Sequence, residues 1–496
     1  MELILKNISN PHEAVGVCMQ FIRGEKIKVT SDGVKLFKED EKKEEKILRL
    51  YGYNKTSFML FYAYYNNSGK KYYSKIKSKD MEKQSIQCAF GKAIYNVLSK
   101  DTMLKPNWGT MTGIRPSKNA LYLFEKNISE KDIRKFFKER LVKPEKTNLA
   151  LEIAKFELDI LKNLEEKTAS LYISIPFCPT RCSYCSFVSS AALNNKELME
   201  KYFLLLLDEI KYTGQLFSSL KLCLKTVYIG GGTPTTFCSQ MLDKIIKTVK
   251  ENFDVSFLEE FTVEAGRPDT ITKEKLTVLK ENNIDRISIN PQTLNQKVLD
   301  KMGRRHSVED FFRAFDIARD IGFKNINTDI IAGLEEDNFN SFKNTVDKIC
   351  KLSPENITMH TLYLKKASNL YKKINEFNNF TEVNRMIEYF YAKMRENKYI
   401  PYYIYKQKNT LSNHENTGFA KKGKHCLYNI YMMEEFHSVF AVGAGAVTKL
   451  VTKNRNKIYR IFNYKYPMEY CNDFNKIIRE KDFIREFYNE KYDGNN

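Results

Sequence analysis

Cys178, Cys182 and Cys185 stand in a C-x-x-x-C-x-x-C segment, Cys178-Pro179-Thr180-Arg181-Cys182-Ser183-Tyr184-Cys185. Thiolates this close on one loop select a soft centre, zinc or an iron–sulfur cluster, over a hard ion. A structural zinc wants a fourth ligand. Here Phe187 fills the next natural place, and the following cysteine, Cys223, lies beyond a whole helical stretch. On a four-iron cluster, three cysteines leave one iron open to a ligand that is not protein. The second feature is Gly230-Gly231-Gly232-Thr233-Pro234-Thr235, in which successive glycines let backbone approach a small ligand closely. It lacks the G-x-G-x-x-G and Walker patterns, so dinucleotide and P-loop binding are not supported. Further polar residues close apolar runs: Glu264, Asn290 and Gln292 with Arg304 soon after, Asp329, and His360. A carboxylate inside Asp329-Ile330-Ile331 is costly to bury unpaired and is expected to meet hydroxyls, amides or a cation. His360 reads first as a satisfied core histidine.

These residues must be positioned by the elements around them. From about residue 168, short runs rich in β-branched and aromatic residues alternate with longer amphipathic stretches. The pattern predicts strands at 171–176, 226–230, 260–265, 286–290, 326–331 and 356–363. Helices are predicted at 195–217, 239–252, 271–282, 307–321, 338–351 and 381–397. Such repetition implies a parallel sheet with right-handed crossovers, either open or curled toward a barrel, with ligands gathering at the carboxyl ends of its strands. The cysteine and glycine segments, Glu264 and Gln292 all fall there. Residues 1–165 read as a separate α+β extension of unknown role, with strands near 2–8 and 57–65 and helices near 87–99 and 130–165. Its segment from Trp108 to Ser117 is turn-rich, and Arg115 in it is either a ligand contact or part of an ordered linker. The expected domains are 1–165, 166–400, and a C-terminal substrate-covering region at 401–496.

The composition agrees with a folded, water-soluble chain: 496 residues suggest about three domains. Apolar residues make up 42% and charged residues 29%, which excludes collagenous, largely disordered and membrane-embedded classes. The longest apolar runs, near Phe203–Leu207 and Val439–Val447, fall short of the roughly 20 residues of a membrane span. The N-terminus lacks the order of a secretory signal, so a cytoplasmic location is expected. Ten cysteines are too sparse for a disulfide scaffold. Lysine plus arginine is 81 against 61 acidic residues, a formal charge of +20. The basic residues are scattered, no zinc finger or aromatic RNA-binding signature focuses them, and nucleic acid is not an expected partner.

Together these segments resemble the radical S-adenosylmethionine (radical SAM) superfamily. More narrowly, Tyr172-Ile173-Ser174-Ile175-Pro176-Phe177-Cys178, followed by Cys182, Tyr184 and Cys185 and then Gly230 to Thr235, resembles the oxygen-independent coproporphyrinogen III oxidase group over roughly 168–450. Within it the likeness is greatest to the HemZ-type coproporphyrinogen dehydrogenases, through Thr112 to Lys118, Tyr405 to Asn409 and Glu415 to Gly418. The resemblance implies a partial (β/α)6 barrel with an N-terminal α+β extension and a small C-terminal region. It implies a 4Fe-4S cluster on Cys178, Cys182 and Cys185, and one or two S-adenosyl-L-methionine molecules. It further implies cofactor contacts from Tyr172, Tyr184, Phe187, Gly231, Gly232, Thr233, Glu264, Gln292, Arg304 and Asp329, with Tyr172 and the three cysteines as the catalytic set. The implied reaction uses a 5′-deoxyadenosyl radical to convert propionate side chains of coproporphyrinogen III into vinyl groups in porphyrin and haem biosynthesis. An anionic tetrapyrrole is then the substrate, and reduced flavodoxin or ferredoxin the electron donor. Arg181, Arg267, Arg304 and Lys406 are candidate cations for its carboxylates.

Two departures bear on this reading. Ser174 stands where the oxidase pattern has histidine. Tyr428-Asn429-Ile430-Tyr431-Met432-Met433 stands where related haem chaperones have His-Asn-x-x-Tyr-Trp, so axial haem binding is poorly supported there and an enzyme is favoured. The rival reading is a haem-trafficking relative without dehydrogenase activity. A radical methyltransferase, a porphyrin-opening enzyme and a tRNA modifier are further rivals.

Overall fold

A computed structural model describes all residues except 9, 23–26, 32–33, 36–45, 114, 186–189, 192–195, 363–379, 407–413 and 494–496. Phe187 lies outside the described residues. The chain forms two compact units. The first comprises Met1–Lys155 with Tyr405–Glu415, and the second comprises most of the remainder.

The first unit is built on strands β1 (Glu2–Lys6), β2 (Lys28–Ser31), β3 (Val34–Lys35), β4 (Lys46–Asn54), β5 (Met59–Asn67) and β6 (Lys70–Lys77), in the order β3-β2-β1-β4-β5-β6. β4, β5 and β6 are an antiparallel meander, and β1 joins β2 and β4 in parallel. Helices α1 (Pro11–Cys18) and α2 (Lys83–Thr102) share a core with the alternate residues Leu3, Leu5, Leu48, Leu50, Phe61 and Ala63. The two-residue period of a strand puts the intervening residues on the other face. Helices α3 (Pro116–Glu125), α4 (Glu130–Glu139) and α5 (Pro144–Lys162) follow.

The second unit carries a large sheet. Its predicted strands are present as β7 (Thr168–Ile175), β10 (Cys223–Gly231), β11 (Glu260–Gly266), β12 (Arg286–Ile289), β13 (Ile326–Ala332) and β14 (Asn356–Thr361). All six are parallel and adjacent in chain order. The two-residue pairs β8 (Phe177–Cys178) and β9 (Ser190–Ala191) sit apart from the large sheet. Crossover helices are α6 (Lys196–Ser219), α7 (Ser239–Asn252), α8 (Lys273–Glu281), α9 (Gln296–Lys301), α10 (Val308–Ile321), α11 (Phe339–Leu352) and, after β14, α12 (Phe380–Glu396). The central strands are buried almost throughout, as expected when both faces of a parallel sheet are covered.

The later segments extend both edges. β15 (Ile400–Lys406) and β16 (Glu415–Ala420) lie beyond β14, with β16 antiparallel to it. Helix α13 (Leu427–Glu434) precedes β17 (Ser438–Val442), which pairs in parallel with β7. β18 (Val447–Val451) and β19 (Ile458–Phe462) continue antiparallel. The sheet does not close into a barrel. Among the described residues no helix is long and apolar enough to cross a membrane.

Helices α14 (Pro467–Asn472), α15 (Phe474–Lys481) and α16 (Phe483–Glu486) pack at the α6 side, tied by a buried ion pair between Glu209 and Lys481 at 3.2 Å. Glu209 also accepts from the Gly443 amide, Asn463 and the Tyr470 hydroxyl, each at 2.7 Å. These bonds meet the hydrogen-bonding needs of a carboxylate withdrawn from water.

Candidate active site at the carboxyl ends of the parallel strands

The cysteine loop leaves β7 and is tied down on three sides. The Gly232 amide donates to the Ile175 carbonyl at 2.8 Å, and the Thr233 amide to the Phe177 carbonyl at 2.7 Å. The Thr233 hydroxyl reaches the Cys178 sulfur at 3.5 Å. A Cβ on Gly232 would lie 2.6 Å from the Phe177 carbonyl oxygen, so only glycine permits this approach. On the second side the Arg267 guanidinium donates to the Thr180 carbonyl and hydroxyl at 3.1 and 2.8 Å, while Asp269 holds it bidentately at 3.0 and 2.7 Å. Arg267 is therefore a clamp on the loop, with its fork already occupied. On the third side the Ser183 amide donates to the Met302 carbonyl and the Thr180 hydroxyl to the Gly303 carbonyl, both at 3.0 Å.

Cys178, Cys182 and Cys185 are partly exposed and outside any disulfide. Among the described residues no three His, Cys, Asp or Glu side chains are gathered tightly enough to hold a single metal ion. A cuboidal cluster has a different requirement, because its cysteines bind separate irons and need not meet at one point. Donor chemistry and loop anchoring both fit such a cluster. Tyr184 is placed against Cys182, Cys185 and Arg304, and burial pushes its phenol up. Arg304 is almost fully buried; among the described residues its Nε has no hydrogen-bond partner, and Nη1 makes one long contact, 3.5 Å, with the Tyr184 hydroxyl. A buried guanidinium with unused donors suits an anionic ligand group.

Across the sheet, Glu264 closes β11 and accepts from the Tyr228 hydroxyl at 2.6 Å. Burial raises its carboxyl to about 7, Asp329 adding to the rise while the Tyr228 hydrogen bond and the Gly231 amide oppose it. Asp329 on β13 is held by Asn290 at 2.9 Å and Asn327 at 2.8 Å, with His360 Nε2 3.7 Å from it. Asp329 thus meets amides and an imidazole, the company anticipated for a carboxylate flanked by isoleucines. His360 lies in this polar group, outside the core setting first assigned to it. Gln292 follows β12 with φ of +66°, its amide and carbonyl bridging to Asp329 and Ile331 at 3.1 and 2.9 Å.

Tyr172 packs with two further rings, Tyr228, which no motif named, and Tyr428, which the motifs named only in place of the chaperone histidine. Its centroid lies 6.3 Å from Tyr228 and 6.1 Å from Tyr428, and Tyr228 and Tyr428 lie 4.5 Å apart, all three near parallel. Tyr428 reaches the stack because α13 is pinned at its start. Glu260 accepts from the amides of Leu427 and Tyr428 at 3.1 and 3.3 Å and pairs with Arg286 at 3.1 Å. Arg286 in turn donates to the carbonyls of Lys424 and His425 at 3.0 and 2.8 Å. A period-2 reading of β10 puts Tyr228 on the same face as Gly230 and could have found it. The sequence marks Tyr428 only as the residue standing in place of the chaperone histidine, and nothing local there places its ring against Tyr172.

Ser174 sits where the Gly443-Ala444 turn crosses β7. Its hydroxyl donates to the Ala444 carbonyl, and its carbonyl accepts from the Tyr202 hydroxyl, each at 2.8 Å. Gly443 has φ of +92°, and a Cβ there would strike the Tyr202 hydroxyl and the Ser174 carbonyl. Ser174 is thus a buried residue whose hydroxyl holds the Gly443-Ala444 turn. Lys406, proposed from its motif as a substrate cation, is buried in the first unit, where it donates to the Met111 carbonyl at 3.1 Å. Burial lowers its ammonium to about 8.

Comparison with known proteins agrees with this geometry. Residues 172–349 match the radical SAM superfamily. The oxygen-independent coproporphyrinogen-III oxidase-like protein HemZ of Bacillus subtilis is 36% identical over 422 residues, which cover 83% of this chain and 84% of that protein. The heme chaperone HemW of the same organism is 32% identical over 56% of this chain and 70% of its own. Among solved structures, the radical SAM enzyme coproporphyrinogen III oxidase (HemN) of Escherichia coli superposes with a TM-score of 0.51 at 20% identity, covering 65% of this chain and 72% of that one. At that identity the likeness speaks for the fold.

Proposed function

Because the chain belongs to the radical SAM superfamily, in the branch of the oxygen-independent coproporphyrinogen-III oxidase-like proteins, we propose that it decarboxylates propionate side chains of coproporphyrinogen III to vinyl groups. The observation that carries this reading is the meeting of the anchored cysteine loop, the Gly232-Thr233 turn, the incompletely paired Arg304 cation and the Glu264 and Asp329 carboxylates at one end of one sheet. When bound, the 4Fe-4S cluster and S-adenosylmethionine supply a carbon-centred radical that removes one hydrogen atom from a substrate carbon.

The chain's own residues do the remaining work. Cys178, Cys182 and Cys185 are the thiolates for the cluster, and Arg267 with Thr180 keeps their loop from drifting. Glu264 takes the cofactor's amine: near neutral pH it is half protonated, and a nearby ammonium draws it to the ionised state. Arg304 offers unused donors to the cofactor carboxylate. Asp329, aligned by Asn290 and Asn327, accepts from ribose hydroxyls. The packed rings of Tyr172, Tyr228 and Tyr428 limit water beside Glu264, whose carboxyl Tyr228 holds. Each propionate conversion then loses one hydrogen atom to the carbon-centred radical, one carbon dioxide, and one further electron to an external one-electron acceptor. The substrate is an anionic tetrapyrrole, and a reduced flavodoxin or ferredoxin supplies electrons.

The test is anaerobic reconstitution with dithionite, S-adenosylmethionine and coproporphyrinogen III, following 5′-deoxyadenosine and vinyl product together. Both products, lost in Cys182→Ala, support the reading; 5′-deoxyadenosine without vinyl product overturns the substrate assignment. The heme chaperone match supports a second reading as a haem carrier. Against it, residue 428 is a tyrosine whose ring is packed between others. Stoichiometric haem binding without turnover would favour the carrier.

A further inference from the structure

The sheet of the first unit has one covered face and one open face. α1 and α2 bury the inward residues, while the outward residues of β4, β5 and β6 meet solvent. Tyr51, Tyr53, Tyr62, Tyr64 and Tyr73 stand on this open face, and Tyr53, Tyr62 and Tyr73 are 50%, 36% and 63% exposed. They fall on three consecutive strands, and the register aligns them: Tyr51 opposes Tyr62, and Tyr64 opposes Tyr73. Tyr53 and Tyr62 pack edge to face at 5.5 Å, and Tyr64 and Tyr73 lie 5.0 Å apart. Cations alternate with the rings. Arg49 opposes Tyr64 and lies 5.8 Å from that ring, and Lys75 opposes Tyr62 at 5.3 Å from its ring. Lys71 and Lys77 flank them on the exposed side of β6. None of these outward positions on β4, β5 and β6 carries an acidic residue.

We propose that this face binds single-stranded nucleic acid, its tyrosines stacking bases and its lysines and arginine meeting phosphates. Lysines alone would suffice to protect an edge strand such as β6 from pairing with another chain. They do not account for three exposed tyrosines, Tyr53, Tyr62 and Tyr73, beside the half-buried Tyr51 and Tyr64, since burying a ring stabilises and exposing one does not. Rings interleaved with cations on an open sheet are the chemistry that holds unpaired bases with little sequence preference. The net charge of +20, which looked diffuse along the chain, supplies a favourable field for a polyanion. The inference concerns a surface separate from the strand ends described above and does not depend on the reaction proposed there.

The test uses the full chain and a fluorescein-labelled oligouridylate of about 12 nucleotides, a length within the range of sheet platforms, followed by anisotropy at two salt concentrations. A duplex of the same length and heparin serve as competitors. Saturable binding that prefers the single strand, falls with salt, and weakens about five-fold or more in Tyr62→Ala and in Tyr73→Ala is the expected result. Tyr73→Phe, which keeps the ring, retains binding, so a loss in the alanine variant reports stacking rather than misfolding. Lys75→Glu lowers the salt slope. The proposal is overturned by absence of saturable binding, by equal binding of duplex or heparin with no effect of the tyrosine variants, or by an effect of Tyr73→Phe as large as that of Tyr73→Ala. It is likewise overturned if a tetracarboxylate porphyrin binds this face while the oligonucleotide does not.

Discussion

Glu264 carries the most distinctive electrostatics of the site. Its carboxyl is raised to about 7 by burial and by Asp329. In the ligand-free chain the protonated form is therefore favoured by folding, so the stability it contributes is present below about pH 4.5 and is lost as pH rises through about 7. Glu264→Gln should flatten the pH dependence of the unfolding midpoint in that interval. An ammonium ligand wants the ionised form, so affinity for S-adenosylmethionine should rise with pH up to about 7 and level off above it. The same variant should weaken that affinity by about ten-fold or more, the scale of a lost charged hydrogen bond. Since the Tyr228 hydroxyl lowers the Glu264 value, Tyr228→Phe should move the titration of cofactor affinity to higher pH without abolishing binding. Calorimetry across pH checks both. Cys182→Ala should lose most of the iron and sulfide taken up on reconstitution while keeping the far-ultraviolet circular dichroism of the parent.

Strand ends and turns convert these side chains into one site. The turn after β10 meets the cysteine loop through backbone bonds that tolerate no Cβ at residue 232. Gly232→Ala should therefore impair cluster loading and cofactor binding together, measured as iron content and affinity, even though alanine is otherwise a mild replacement. The start of α13 depends on the buried Glu260–Arg286 pair. Removing one member leaves the other charged and unpaired, at a cost of about 3–5 kcal/mol. Glu260→Ala should lower the unfolding free energy by that amount in a denaturant titration. It should also loosen Tyr428 from the ring stack, visible as increased quenching of tyrosine fluorescence.

Within the second unit, segments remote in sequence share one hydrogen-bonded framework. β17 joins the parallel sheet beside β7, and α14 to α16 pack at the α6 side through Glu209 and Lys481. Lys481→Ala should destabilise the second unit by about 3–5 kcal/mol, because the buried Glu209 would lose its counter-charge. Differential scanning calorimetry checks this.

The periodicity after residue 168 was sufficient to locate six strands and their helices, because parallel strands covered on both faces read as continuous apolar runs bounded by amphipathic helices. The cysteine and glycine segments were legible for a related reason: their chemistry depends on spacing within a few residues. What escaped a reading along the chain depends on partners that only the folded chain brings together. Tyr428 joins the ring stack only when Glu260 pins α13. Arg267 looks like a free substrate cation until Asp269 and Thr180 fill its fork. Lys406 shares a motif with family members, yet lies buried beside Met111. The open tyrosine face exists only once β4, β5 and β6 are in register. Local spacing encodes ligands that a single loop can present, whereas burial, pairing of charges and alignment of faces arise only when the sheet closes distant segments on one another.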